Sequence, residues 1–163
     1  MHPSQPSSSP DPVPPLTARW LALGESLVPT TLVASYRETV FEALGAEPCA
    51  MHIDVQCVVL ARWHERHGVN CSAFVSACNP GSEVFTAAQN AGRHRALGDQ
   101  LRRAGFRIVE GVGRHPSNGW PPEPSWLVLG ITLADACDLG RQCDQNAIVW
   151  AGADAIPRLV LLR

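Results

Sequence analysis

The stretch from Cys71 to Gly113, CSAFVSACNPGSEVFTAAQNAGRHRALGDQLRRAGFRIVEGVG, constrains the fold more than any other part of the chain. Its opening apolar run reads as a buried strand, Asn79-Pro80 as a turn, the middle as one long helix, and Phe106 to Gly113 as a second strand. Strand, crossover helix and strand make a βαβ unit. A right-handed crossover makes strands 72–78 and 106–113 parallel, so their carboxyl ends lie on one edge of the sheet. Ligand sites of open α/β sheets gather at such an edge.

The helix begins at Thr86 with Gln89 three residues on, the spacing of a capping box. On a wheel of about 100° per residue, Ala87, Ala91, Leu97, Gly98, Leu101 and Ala104 form an apolar arc. Asn90 falls in the middle of that arc and Arg93 at its edge, while Arg95, Asp99, Arg102 and Arg103 form a solvated face. An amide turned towards a core needs partners, since burying it unpaired costs on the order of 1–3 kcal/mol. Two readings stand: Asn90 and Arg93 tie down the Asn79-Pro80 loop, or they hold a ligand.

The flanks extend the unit into a sheet. Ser35–Leu44 sets Tyr36, Glu38, Val40 and Glu42 against Arg37, Thr39, Phe41 and Ala43, carries β-branched and aromatic residues and reads as a strand, although its tail also allows a helix. It pairs with Cys49–Val55 as an antiparallel edge hairpin. Gln56–His67 is a short helix stopped by Gly68. After the breaker-rich loop Arg114–Pro124, the nearly continuous apolar run Ser125–Ile131 is a central strand covered on both faces. Thr132 and Asp135 open a helix over Leu133–Cys143, and Ala147–Ala151 with Pro157–Leu162 close the sheet as a hairpin. The expected fold is α/β (α+β mixed), with about seven strands in one mixed sheet, three or four helices and the βαβ unit at its centre.

This order converges polar residues on the predicted edge. If the 114–124 loop returns the chain antiparallel, Glu123 and Ser125 begin there, and the helix after Ile131 brings Gln145-Asn146 back to it. The candidate ligand-binding set is therefore Asn79, Asn90, Arg93, Gly111, Gly113, Trp120, Glu123, Ser125, Gln145 and Asn146. Amides, an arginine, a carboxylate and close-approach glycines suit a small polar or anionic ligand such as a nucleotide or sugar phosphate. Gly111-x-Gly113 ends a strand and opens no helix, so it is no dinucleotide fingerprint. No nucleophile–base pair is evident and no catalytic residue is assigned. His94 reads as a satisfied core histidine, and Glu123 either as a general acid or base or as part of a Pro-rich loop.

Composition narrows the classes further. Residues 1–15 hold six prolines and four serines, which cannot offset their ordering entropy by burial, so 1–16 reads as a disordered tail and 17–163 as one domain. Thr17–Val28 within that domain reads as a short helix or strand-like arm. All thirteen basic residues are arginine, which excludes a Walker A lysine and Schiff-base chemistry. A net charge of −2 argues against nucleic acid as a partner. No apolar run reaches the roughly 18 residues of a membrane span, and with no export signal a cytoplasmic location is expected. The six cysteines form no C-x-x-C pair and read as reduced, buried thiols. His64-x-x-His67 has metal-like spacing without companions and reads as a solvated helix end, so neither metal nor cofactor is expected.

Taken together, Ser76-Ala77-x-Asn79-Pro80, Asn90-x-x-Arg93, Gly111-x-Gly113, Trp120, Glu123-x-Ser125, Leu129-Gly130-Ile131 and Gln145-Asn146-Ala147-x-x-Trp150 form a pattern. In this order and spacing they resemble the bacterial family named domain of unknown function 3293, over roughly Ser35 to Leu162. The chain departs from the family's usual pattern at Cys78, where an aromatic is common, and at Cys143-Asp144, where Phe-Gly is common. The resemblance implies a domain boundary and a list of positions, and no activity. Two functional readings remain: a domain binding a small ligand at the Asn79 edge, and a protein-interaction module docking through Trp120-Pro121-Pro122.

Overall fold

The computed structural model describes residues 26–163. The Pro/Ser-rich segment 1–16 and most of the 17–28 arm lie outside them. Along the chain come α1 (Thr30–Glu38), β1 (Val40–Leu44), β2 (Pro48–Met51), α2 (Val58–His67), β3 (Ser72–Val75) and a 3-10 turn (Pro80–Ser82). Then follow α3 (Ala87–Arg103), β4 (Arg107–Arg114), β5 (Glu123–Leu129), α4 (Leu133–Gln142), β6 (Ala147–Ala151) and β7 (Arg158–Leu161). The seven strands form one sheet in the order β2-β1-β4-β5-β3-β6-β7. The fold is of the mixed α and β class.

Each neighbouring pair in that sheet is antiparallel. β3 and β4 still run in the same direction, as the crossover predicts, but they are not bonded to each other. β5 lies between them, pairing Phe74 with Leu127 on one side and Val109 with Leu127 on the other. Burial explains the insertion: every residue from Ser125 to Leu129 is buried, and a strand apolar on both faces belongs at the sheet's centre.

Alternate residues of the strands feed two cores. On one face Ala73, Val75, Trp126, Val128, Ile148 and Val160 pack under Leu97 and Leu101 of α3 and Ala136 and Leu139 of α4. On the other, Phe74, Leu127, Leu129, Val149 and Ala151 pack with Ala43, Cys49 and Met51 under Leu60 and Trp63 of α2. Gly68, in the left-handed region at φ +63°, ends α2 as expected.

Four sequence expectations change. Residues 35–38 are helical, not extended, and the strand is confined to Val40–Leu44. Leu32, Ser35, Tyr36 and Thr39 recur at i, i+3, i+4 and i+7, a helical face that a window opened at Ser35 cuts in half. In α3 the wheel holds for Leu97, Gly98 and Leu101, but Ala87, Ala91 and Ala104 are exposed; Asn90 and Arg93 occupy the inward arc of the first turns instead. His64 is buried beside Leu60 and Trp63, with Nε2 2.9 Å from the Ser72 hydroxyl, so it is no solvated helix end. His94 stacks on Trp126 with ring centroids 4.5 Å apart. Its Nδ1 is buried without a partner, and burial holds its pKa below the ordinary value.

Candidate functional site

The end of β3, the end of β4, the start of β5 and the start of β6 meet at one edge, on the face that carries Phe74. α1 lies across them, and between helix and sheet is a cavity of about 140 Å³. Its apolar floor is Phe41, Phe74, Val149 and Leu159, with Gly113 beside the Phe41 ring. Leu32, Ser35 and Tyr36 of α1 and its C-cap residue Thr39 form the opposite wall, and Asn79, Ser82, His115, Trp120, Glu123 and Gln145 supply polar groups.

The polar centre is a network on Asn79, which is 5 % exposed and sits at φ +47°, a conformation asparagine tolerates better than most residues. Its Oδ1 accepts from the Phe85 N–H at 3.0 Å and from Asn90 Nδ2 at 2.9 Å. Its own N–H donates to Asn90 Oδ1 at 3.0 Å, so the two amides hold each other reciprocally. Asn79 Nδ2 then donates to Glu123 Oε1 at 2.7 Å, and Trp120 Nε1 donates to that same oxygen at 3.0 Å. Glu123 Oε2 has no hydrogen-bond partner among the described residues. Burial raises the Glu123 pKa above the usual carboxylate value, and the two donated hydrogen bonds pull it back only in part.

A second cluster faces this one. The Tyr36 and Ser82 hydroxyls are 3.0 Å apart, and Asn146 Nδ2 donates to Ser82 Oγ at 2.9 Å. Tyr36 thereby fastens α1 to the loop after β3. His115 Nδ1 accepts from the backbone N–H groups of Ser117 and Asn118 at 3.1 and 3.0 Å. Nδ1 is thus the acceptor nitrogen and Nε2 carries the proton, 3.1 Å from Glu38 Oε2.

Of the residues the sequence singles out, Asn79, Gly113, Trp120, Glu123, Ser125 and Gln145 line the cavity. Asn90, Arg93, Gly111 and Asn146 stand behind it. Asn90 pins the Asn79 loop, in agreement with the first of its two readings. Arg93 donates to the carbonyls of Ala77 at 2.6 Å and Cys143 at 3.3 Å, spending its guanidinium on backbone. Gly111 is needed for packing: a Cβ there would lie 2.5 Å from the Phe74 ring and 2.7 Å from the Glu42 carbonyl oxygen. Asn146 acts through Ser82. Sequence reasoning missed Tyr36, Ser82, Phe41 and Phe74. The helical spacing from Leu32 to Thr39 is the one signal that could have located Tyr36.

Chemically, the site offers a hydrogen-bond acceptor of adjustable charge in an apolar enclosure. Its serines are not activated nucleophiles: Ser76 Oγ donates to Pro124 O at 3.0 Å and Ser125 Oγ to Glu123 O at 3.2 Å, while Ser82 bonds Tyr36 and Asn146. None is bonded to a histidine or a carboxylate side chain. Among the described residues no group of three histidine, cysteine or acidic side chains is placed to hold a metal ion, and no helix is long and apolar enough to cross a membrane.

The fold and this edge define an α+β domain with a small, partly open cavity at the end of its central strands. Residues 75–148 match the family model described as "Protein of unknown function (DUF3293)". The matched segment carries Asn79, Trp120, Glu123, Ser125 and Gln145 but stops short of α1 and β1, which contribute Tyr36 and Phe41. No curated protein and no solved structure matches the chain.

Proposed function

We propose that this is a cytosolic domain that binds a compact, largely apolar molecule bearing a hydrogen-bond donor or a positive charge. The observation that carries the reading is a half-buried carboxylate whose Oε2 has no partner among the described residues, in a mostly apolar cavity whose described lining contains no arginine. Size supports it as well. A cavity near 150 Å³ holds one benzene-sized molecule, so about 140 Å³ is too small to enclose a nucleotide. Charge works in the same direction: with Arg93 committed to carbonyls, a phosphate would meet Glu123 unshielded. These two considerations favour a neutral or cationic ligand over the nucleotide or sugar phosphate of the sequence reading.

The rival reading, protein docking through Trp120-Pro121-Pro122, is weakened by Trp120 itself. Its indole N–H is spent on Glu123 and its ring lines the cavity, which suits a wall better than a free anchor.

The test is a thermal-shift screen of small aromatic and aliphatic amines and amides beside nucleotides and sugar phosphates. A ligand at 100 times its dissociation constant adds about 2.7 kcal/mol, several degrees in a domain of this size. Hits are expected among the amines and amides and are expected to vanish in Gly113→Val, whose side chain enters the cavity. Stabilisation by the phosphates alone would sink the reading.

A further inference from the structure

Away from the cavity, the edge strand β2 and the helix α2 bring two cysteines together. The Sγ atoms of Cys49 and Cys57 are 3.6 Å apart in the second core. The segment between them is held at several points: Val55 N–H donates to His52 O at 3.2 Å, Asp54 N–H to Pro157 O at 2.8 Å and Cys57 N–H to Ala155 O at 2.9 Å. The sulfur pair therefore rests on a fixed turn.

The two thiols are not equivalent. Cys57 occupies the N-cap position of α2, a helix of ten residues, where unpaired backbone N–H groups favour negative charge. The Cys49 thiol beside it and the N–H groups of Leu60 and Val59 lower the Cys57 pKa below the ordinary thiol value, against the opposing effect of burial. Cys49 shifts the other way, raised by its hydrogen bond with Cys57 and by burial. Burial also raises Cys71, Cys78, Cys137 and Cys143. Exposure follows the same order within the pair, 8 % for Cys57 and 1 % for Cys49. One sulfur is set to attack and the other to resolve.

We infer that Cys49 and Cys57 form a redox-active dithiol that reduces a low-molecular-weight disulfide, such as oxidised glutathione, and becomes an internal disulfide. The Cys57 thiolate attacks one sulfur of the small disulfide, whose S–S bond breaks and releases one thiolate. Cys49 then loses its proton and attacks Cys57 Sγ, releasing the second thiolate. The chain gives up two protons and two electrons, and the small disulfide leaves as two thiols. In a reducing compartment, such pairs are catalytic or sensing rather than structural. The site is separate from the cavity and independent of the ligand reading.

The test uses the full chain in glutathione buffers of graded oxidation, quenched with acid, alkylated and mapped by mass spectrometry. The expected product links the Cys49 and Cys57 peptides and leaves the other four cysteines alkylated. Cys49→Ser should stop at a single glutathione on Cys57, and Cys57→Ser should take up none at either position. Under iodoacetamide near pH 7, Cys57 should react about tenfold faster than Cys49 or more. Should either variant fail to fold, the wild-type map decides alone. Full alkylation of Cys57 across the whole series, or first glutathionylation at another cysteine, overturns the assignment.

Discussion

At the scale of single residues the cavity turns on Glu123. Its folded pKa is raised, chiefly by burial, so the folded state favours the protonated acid. Its contribution to stability is fully present below the ordinary value of 4.5 and is lost as pH rises through the raised value. Glu123→Gln keeps an acceptor for Asn79 Nδ2 and Trp120 Nε1 and removes the charge. The variant should match the wild type near pH 4 and become the more stable of the two by pH 7.5, read from urea midpoints at the two pH values. A wild type more stable than the variant at pH 7.5 would mean that the carboxylate has a favourable partner not described above. Asn90 shows how far such a residue can be read in advance. Its helical position marked it as an inward-facing amide in need of partners, but its spacing was equally compatible with a ligand and with Asn79.

Among the elements, β4 shows two glycines of one strand serving different ends. Neither lies in the left-handed region, so space alone distinguishes them. A methyl at 111 collides with the Phe74 ring and with a backbone oxygen that cannot move aside, whereas at 113 its nearest neighbour is Thr39 Cγ2 at 3.6 Å, an ordinary contact. Gly111→Ala should therefore cost about 1–3 kcal/mol. Gly113→Ala should stay within about 0.5 kcal/mol while trimming the cavity. Equal losses in chemical denaturation would contradict the packing described for the floor. In sequence the two positions look alike, as ends of a Gly-x-Gly, because what separates them is a ring delivered by a strand some forty residues earlier. α1 is the opposite case. Its spacing is legible, but the alternation from Tyr36 to Ala43 satisfies a strand equally well, and only packing over the cavity selects the helix.

In the whole molecule, stability is spread unevenly. β5 is buried from Ser125 to Leu129, whereas α1 contains no buried residue. Elements with few buried contacts open locally at low cost. Hydrogen exchange should be fast along α1 and slowest in β3 and β5, and a ligand in the cavity should slow α1 selectively. Protection of α1 equal to that of β5 would mean that the cavity admits ligands by another route.

Composition and local pattern were enough for the class of fold, most of the elements, the caps at Thr86 and Gly68, and the edge where β3, β4, β5 and β6 converge. These depend on interactions a few residues apart and on the handedness of a crossover, both of which a linear chain carries. Tertiary structure alone decided that β5 enters between β3 and β4, that Arg93 is spent on carbonyls, that Tyr36 and His115 line one cavity with Glu123, and that Cys57 lies against Cys49. Each of these is a contact between distant segments, set by how two cores fill their volume. Neither periodicity nor motif spacing encodes that filling one residue at a time.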